Sequence, residues 1–226
     1  MPDDMLCFTA QEPWSTVSVG KYYSPPEISL EYNVNDTWWN DYTIWTAITL
    51  TNIWDKVYIR NKSKTIDRPA SQNYWYRFSM TWKIAAGWDI TYITCKNWAD
   101  TVWSYGFYYL FNMCTALVTA PKLPATNLWA DCYFWMFYWC SNLVTIPALP
   151  ATSIPYEWYR YMFYWCSSLW LSTSQTWEYK TPYRIPTSWT WSGGSYWNSY
   201  MFNGVPWWIP ANPSINTTYY TSNTVV

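Results

Sequence analysis

Residues 111–169 contain three copies of one motif at a constant interval, and this repeat limits the possible folds more than any other feature. The copies are Phe111–Leu117 (FNMCTAL), Phe137–Leu143 (FYWCSNL) and Phe163–Leu169 (FYWCSSL). A unit of this size cannot bury its own apolar side, so successive units are expected to stack. The regular spacing therefore predicts that Phe111, Phe137 and Phe163 lie in one column.

A period in the range of roughly 20–29 residues, with a leucine and a turn at fixed points, is the signature of a leucine-rich-repeat solenoid. We expect strands that stack in parallel at Leu117–Ala120 and Leu143–Ile146. Each is expected to end there because a proline follows, and proline cannot donate a hydrogen bond to a strand ladder. The convex side is expected to contain one or two helical turns, at Leu128–Met136 and Ile154–Met162. The residues predicted to be buried there, from their i, i+3, i+4 spacing, are Tyr133, Met136, Phe137, Tyr159, Met162 and Phe163.

The flanking segments complete the predicted fold class: mainly β with short helices, a small antiparallel β-sandwich-like N-terminal domain, then a short solenoid. We assign residues 1–66 to the first domain, 67–104 to a linker and N-terminal cap, and 105–226 to the solenoid with an irregular C-terminal cap. Period-two alternation predicts strands at Met5–Ala10, Ser15–Val19, Glu27–Tyr32, Ala47–Leu50 and Lys56–Arg60. Further strands are predicted in the cap at Tyr74–Met80 and Trp88–Thr94. The tail, Asn216–Val226, is predicted to be a final strand or an edge cap.

A fourth, partial copy is expected at Tyr200–Val205. Its phenylalanine, Phe202, follows Phe163 by one and a half repeat intervals rather than one. An insertion of about 13 residues accounts for the difference. The repeat is therefore predicted to resume after an irregular segment.

Tryptophan stands at positions where the backbone favours a small residue. The chain has 22 Trp and only 6 Gly, although glycine ordinarily makes up about 7% of residues. Gly204 occupies the column of Trp139 and Trp165, and Trp54 lies in an apparent tight turn that favours positive φ. A second column reads Gly106, Cys132 and Trp158.

Glycine and tryptophan codons are single-base neighbours. We therefore hypothesise that many of these tryptophans descend from glycines, or are glycines misread through a reassigned UGA codon. The alternative is that the tryptophans are genuine and pack between the coils.

The motif MFxxCxxL, followed by PxLPAT, resembles the BspA-like leucine-rich repeats of surface proteins from gut and oral bacteria and of proteins from their phages. The leader also resembles the β-rich segment before those repeats, through Leu6–Ala10, Trp45–Leu50, Asp55–Tyr58 and Arg60-Asn61. The resemblance covers most of residues 5–169. The family usually has glycine before the repeated cysteine, where this chain has Met113, Trp139 and Trp165. The resemblance implies a non-enzymatic surface or adhesion module without catalytic residues.

Charge and hydropathy exclude several classes of function. The formal net charge is −1, and no basic run supports binding to nucleic acid. No apolar run approaches the ~18 residues of a membrane span. The N-terminal residues Met1–Phe8 lack the pattern of a secretory signal. Either a signal has been removed, or the protein leaves its cell by another route, for instance in a virus particle.

The sequence gives little support for catalysis or for metal binding. With no histidine there is no Ser-His or Cys-His pair, and no CxxC motif indicates a metal site. The repeated cysteines are predicted to form an inward ladder of free thiols, and the remaining three, which show no disulfide spacing, are predicted to be free thiols outside it. The members of the ladder are Cys114, Cys140 and Cys166; the others are Cys7, Cys95 and Cys132. Two carboxylate pairs, Asp131 with Glu157 and Asp36 with Asp41, are interpreted as surface charges. No catalytic residue, cofactor or metal is predicted.

Three functions without catalysis remain. The first is an adhesion module that binds a protein on a host or neighbouring cell through the strand face, near the rim. Its candidate contact residues are Thr115, Ala116, Ser141, Asn142, Ser167 and Ser168. The second is a structural component of a virion or surface layer. The third is a carbohydrate-binding module that stacks sugars on Trp38 and Trp39. All three predict an extracellular, cell-surface or virion location.

Overall fold

The computed structural model describes residues 5–62, 71, 73–93, 100–151, 153–154, 159–188, 199–206, 210–214 and 216–226. The described chain is mainly β. Its one helical element is a 3₁₀ turn at Ile90–Ile93, which lies within the predicted strand Trp88–Thr94. That strand prediction is wrong, because Asp89 accepts hydrogen bonds from the backbone and hydroxyl of Thr91, both at 2.7 Å, and turns the chain.

The first eight strands confirm each of the strands predicted for the N-terminal segment, with shifts of a few residues at their ends. They are β1 Cys7–Ala10, β2 Ser15–Tyr22, β3 Leu30–Val34, β4 Asn40–Asp41, β5 Ile48–Leu50, β6 Lys56–Asn61, β7 Trp75–Thr81 and β8 Ile84–Gly87. The antiparallel pairing β5-β2-β7 makes one sheet. The other sheet has the order β10-β8-β1-β6-β3-β4, in which β10 is Leu117–Thr119 from the first repeat.

The two sheets share a core that continues into the repeats. The ring of Phe8 in β1 lies 4.8 Å from that of Phe78 in β7, and Phe78 stacks on Phe111 at 5.2 Å. Most buried apolar side chains of residues 6–93 belong to one hydrophobic cluster with those of the repeats. The predicted cap strand Tyr74–Met80 is therefore both a strand of the N-terminal sheets and the support of the first repeat.

The remaining strands are short. They are β9 Thr101–Val102, β11 Asn127–Leu128, β12 Thr145–Ile146, β13 Ser153–Ile154, β14 Leu171–Ser172, β15 Thr181–Ile185, β16 Thr187–Ser188, β17 Thr217–Thr221 and β18 Thr224–Val225. Parallel pairs join β8 with β10, β9 with β11, β12 with β18 and β13 with β16. Strand β17 pairs antiparallel with both β14 and β15.

The repeated phenylalanines form the predicted column. Phe111 and Phe137 stack at 5.4 Å, and Phe137 and Phe163 stack at 5.6 Å, with both pairs parallel to within 2°. Phe202 continues the column at 5.5 Å from Phe163, so the partial fourth copy is confirmed despite its longer offset. These parallel rings show that the four copies lie one above the other; we call them rows 1 to 4, residues 105–114, 131–140, 159–166 and 199–205.

Each row is a run of turns, and the predicted helical turns are wrong for its described residues. In row 1 alternate amides donate to the carbonyl three residues earlier, as Leu110 does to Phe107 and Asn112 to Tyr109. The amides between them donate to the next row, as Phe111 does to the carbonyl of Met136 at 2.9 Å. The stack is therefore held by main-chain hydrogen bonds that need no particular side chain. Residues 155–158 of the second predicted helical segment lie outside the described residues.

Every fourth residue of a row has a left-handed backbone, with φ between 53° and 78°. These residues are Tyr105, Tyr109 and Met113 in row 1, Asp131, Trp135 and Trp139 in row 2, Tyr161 and Trp165 in row 3, and Tyr200 and Gly204 in row 4. A side chain with a Cβ adopts this conformation at a cost of roughly 1–2 kcal/mol. The rows thus require at regular intervals a geometry that glycine adopts most easily.

The tail lies between the strands that follow rows 2 and 3. Strand β18 pairs with β12, and Val226 exchanges main-chain hydrogen bonds with Ile146 and Ala148. The side-chain amide of Asn223 bonds to the chain segments on both sides of the tail. Its Nδ2 donates to the carbonyls of Val144 and Ser168 at 3.0 and 3.1 Å, and its Oδ1 accepts from the Trp170 amide at 2.6 Å. The prediction of a final strand at residues 216–226 is confirmed.

Candidate functional site: an exposed rim on the stacked rows

The most exposed apolar side chains of rows 1 to 3 form one column. Met113, Trp139 and Trp165 are 56%, 42% and 48% exposed, although large apolar side chains are usually buried. The amides of the three donate to the carbonyls of Tyr138, Tyr164 and Asn203 at 2.7–2.8 Å, which fixes their vertical alignment. The indoles of Trp139 and Trp165 stack at 5.6 Å.

The backbone explains why this column lies outside the core. Met113, Trp139 and Trp165 have φ values of 60°, 59° and 59°, and each directly precedes a buried cysteine. The left-handed residue closes the turn that directs the following cysteine inward. Its own side chain is left on the surface.

The six residues predicted to contact a partner lie next to this column in rows that touch one another. Thr115, Asn142 and Ser167 are exposed, whereas Ala116 is buried and contributes little surface. Several of the polar groups link the rows. The side-chain amide of Asn142 donates to the carbonyl of Thr115 at 2.9 Å. The hydroxyl of Ser168 donates to the carbonyl of Ser141 at 2.7 Å. These side chains have a structural role besides any contact with a partner.

We call the combined surface the rim and define it by nine residues. They are Met113, Trp139, Trp165, Thr115, Ala116, Ser141, Asn142, Ser167 and Ser168. The first three were not predicted as contact residues, because the sequence indicates them first as positions where glycine is expected. The signal that could have identified them is the same column, since each of the three directly precedes a cysteine that is predicted to point inward.

An open cleft of about 370 Å³ adjoins the lower end of the rim. Its lining residues come from the N-terminal sheets and their turns, and from the segments that directly follow rows 1 and 2: Glu12, Met80, Thr81, Trp82, Lys83, Thr115, Ala116 and Asn142. The ammonium of Lys83 lies 3.2 Å from the carboxylate of Glu12. The cleft is therefore polar, with opposite charges that compensate each other.

Trp38 and Trp39 do not form a common stacking platform. Trp38 is 83% exposed, whereas Trp39 packs against the cluster of Met5, Cys7 and Tyr58. The guanidinium of Arg60 lies 3.8 Å from the ring centroid of Trp39 and covers a face that a sugar would need. Trp39 therefore packs back on the sheet and does not present a free ring.

The repeated cysteines form the predicted inward ladder. The thiols of Cys114, Cys140 and Cys166 donate to the carbonyls of Phe78, Phe111 and Phe137 at 3.0–3.1 Å. Burial raises the pKa of the Cys114 thiol to about 12, and raises the pKa values of the other two. A protonated, buried thiol is a poor nucleophile and a poor metal ligand, so this ladder serves packing.

The other cysteines and the carboxylates give no catalytic geometry in the described residues. Cys7 and Cys132 are buried and free, and Cys95 lies outside the described residues. Asp36 and Asp41 are exposed, and Asp41 accepts from Lys62 at 2.7 Å. Asp131 is half-buried, but its predicted partner Glu157 lies outside the described residues. In the part of the chain that the structure describes, no group of three or more metal-ligating side chains occurs.

Comparisons with protein-family models, with curated proteins and with solved structures give no match for this chain. Among the described residues, no helix has the length and apolar character needed to cross a membrane. The support for a function therefore comes from the geometry of the surface.

Proposed function

We propose that the chain is a non-enzymatic interaction module that binds a protein partner through the rim. In this proposal the rows form a short leucine-rich-repeat solenoid, and the module acts at a cell surface or on a virion. The observation that carries the proposal is the column of Met113, Trp139 and Trp165, which stays exposed while the residues on either side of each are buried or half-buried.

The composition of the rim fits a protein interface. Aromatic residues and methionine are enriched at the centres of such interfaces, and charged residues are depleted there. The rim combines two indoles and a thioether with short polar side chains, and none of its nine residues is charged. Contiguous exposed apolar surface on a soluble protein commonly marks such a contact.

The rim is also rigid enough to hold a defined shape. Its members are fixed to one another by main-chain hydrogen bonds between rows and by the indole stack of Trp139 on Trp165. A surface that is ordered before binding loses less conformational entropy when a partner docks. Affinity can then come from a modest contact area.

Binding of the labelled chain to intact epithelial and bacterial cells tests the proposal. We expect saturable binding that protease treatment of the cells removes, and at least about a tenfold loss of affinity for the double variant Thr115→Glu with Ser167→Glu, because each carboxylate must be desolvated at the contact. The matched control is Thr49→Glu on β5, an exposed position on a strand of the N-terminal sheets.

Two results would contradict the proposal. Equal binding by the double variant and the control would exclude the rim as the contact. Binding that survives protease treatment would exclude a protein partner. Self-association of the purified chain without binding to cells would instead favour the structural component of a virion or surface layer.

A further inference from the structure

Two exposed tryptophans flank a second cleft, which adjoins the polar one. This cleft has a volume of about 310 Å³ and is lined by Glu12, Pro13, Trp14 and Trp82. Glu12 and Trp82 also line the polar cleft, so the two form one continuous depression. The Gln11 amide donates to the Lys83 carbonyl at 2.8 Å and holds the two contributing turns together.

Both indoles are held in strained backbone positions. Trp14 and Trp82 have φ values of 62° and 58°, yet they are 64% and 62% exposed. Because these side chains are largely exposed, their packing offsets little of the free-energy cost of the strained backbone. Strained residues of this kind cluster at ligand sites, and an observed outlier is grounds for a functional hypothesis.

The polar half of the depression supplies both donors and acceptors of hydrogen bonds. The carboxylate of Glu12 and the ammonium of Lys83 pair with each other, and both keep further hydrogen-bonding positions for a ligand. Among the described residues, Thr115 Oγ1 and Asn142 Oδ1 have no protein hydrogen bond, whereas Asn142 Nδ2 is fixed by the carbonyl of Thr115. Because the two charges compensate each other, the site favours a neutral ligand with several hydroxyls.

We propose that this depression binds a neutral glycan through one terminal pyranose. The C–H face of the sugar packs on the indoles of Trp14 and Trp82, since aromatic rings combine apolar area with defined geometry. Its hydroxyls bond to Glu12, Lys83 and Asn142. The two volumes lie at the lower end of the range for small-ligand sites, which suits one or two sugar units.

The depression shares Thr115, Ala116 and Asn142 with the rim. Its test is nevertheless separate, because it uses purified glycans and substitutions outside the rim. The purified chain is applied to a printed array of neutral and acidic glycans, and hits are repeated as methyl glycosides by saturation-transfer difference NMR. We expect neutral hexose-terminated glycans to bind, with saturation strongest on the axial C–H protons. Trp82→Gly and Trp14→Gly are each expected to weaken binding about tenfold or more.

The glycine variants separate loss of binding from loss of folding. Glycine relieves the left-handed strain at both positions, so these variants are expected to remain as stable as the parent chain or more so. Trp54→Gly is the matched control, because Trp54 also has positive φ at 73°, is 68% exposed and lines neither cleft. It should keep full glycan binding.

Four outcomes would overturn the glycan site. They are no binding of any neutral glycan, selective binding of sulfated or sialylated glycans, equal binding by Trp82→Gly, and equal loss of binding by Trp54→Gly. Peptide mapping of natively expressed protein gives a further test. Glycine masses at positions 14 and 82 would remove the indoles on which the site depends.

Discussion

Gly204 and Trp165 occupy the same turn position in consecutive rows, and both have a left-handed backbone, with φ of 78° and 59°. A Cβ added to Gly204 would lie 3.1 Å from the indole of Trp165, so the ring of one row covers the glycine of the next. Row 4 thus has the residue that suits this backbone best. Rows 2 and 3 have tryptophan in an identical geometry.

Replacing Trp165 by glycine should stabilise the fold. The substitution relieves a left-handed residue that costs roughly 1–2 kcal/mol, against the extra unfolded-state entropy of glycine, about 0.5–1 kcal/mol. Because the exposed indole of Trp165 contributes modest packing, we expect a net gain of up to about 1 kcal/mol for Trp165→Gly. Urea unfolding monitored by circular dichroism measures it.

Trp177→Gly is the control for this prediction. Trp177 is 83% exposed, and its φ is not left-handed, so glycine there adds entropy to the unfolded state without relieving strain. We expect no gain for the control. An equal rise in both variants, or a loss in Trp165→Gly, would contradict the strain argument.

The stacking register could be predicted because apolar identity repeats at fixed intervals. Phe111, Phe137 and Phe163 recur at one constant spacing, and the same reasoning located Phe202 after an insertion. The expectation for glycine at Trp54, Trp139 and Trp165 also agrees with their positive φ. In the column of Gly106, Cys132 and Trp158, however, Cys132 has an ordinary φ, so its backbone does not favour glycine. Trp158 lies outside the described residues.

The turn rows could not be distinguished from helices by periodicity. Tyr133, Met136, Phe137 and Cys140 are all buried, and their spacing fits both a helix of about 3.6 residues per turn and a run of turns with a period of four. Over one short row the two periods differ by less than one position. The glycines that would have indicated turns are replaced by large aromatic residues.

The position of the tail between the strands and the shape of the candidate site depend on contacts between residues that are far apart in the sequence. Asn223 bonds to Val144 and Ser168, which lie 79 and 55 residues away. The polar cleft likewise joins Glu12 to Asn142. Local pattern contains no information on such pairs, so the sequence predicted the polar edge of the rim but neither cleft.

The buried thiol ladder predicts a specific loss of stability at alkaline pH. The pKa of Cys114 is raised by burial from 9.0 to about 12, and burial raises those of Cys140 and Cys166 in the same direction. The folded state therefore keeps these protons after the unfolded state has released them. Their contribution to stability is complete below pH 9 and is lost as the pH rises from about 9 towards 12.

Urea unfolding at a series of pH values measures this loss. The three ladder thiols alone contribute a slope of about 4 kcal/mol per pH unit once the pH is well above 9. Cys7 and Cys132 add to it, because burial also raises the pKa values of their thiols. Cys140→Ala should reduce the slope by about 1.4 kcal/mol per pH unit, after correction for its lower stability at neutral pH. A slope unchanged by this substitution would assign the alkaline loss to other groups, such as the buried tyrosines.

Truncation of the central ring should destabilise the whole described core. Phe137 is fully buried between Phe111 and Phe163, so Phe137→Ala is expected to cost about 3–5 kcal/mol. Because the core is continuous with the N-terminal sheets, circular dichroism and thiol exposure should report one common transition. Phe134→Ala, in the same row but half-buried, is the control with a smaller loss. Two separate transitions would instead indicate that residues 1–66 fold independently.

The buried tyrosines offer a matched pair for the energetics of an unpaired hydroxyl. Tyr133 stacks on Phe107 at 5.8 Å and on Tyr159 at 5.9 Å, and its buried hydroxyl has no hydrogen-bond partner in the described part of the chain. Tyr183 is equally buried, but its hydroxyl donates to the carbonyl of Pro147 at 3.1 Å. The two substitutions to phenylalanine should therefore have opposite effects.

Tyr133→Phe keeps the ring stack and removes a polar atom that lost its hydration on folding. We expect it to raise the free energy of unfolding by about 1 kcal/mol, whereas Tyr183→Phe should lower it by about 0.5–1.5 kcal/mol and leave the Pro147 carbonyl without its partner. Chemical denaturation at pH 7 measures both, because these phenols are protonated there: the ordinary pKa of tyrosine is 10.0, and burial raises it further. A loss of equal size in the two variants would show that the hydroxyl of Tyr133 is hydrogen-bonded in solution, for example to an enclosed water molecule.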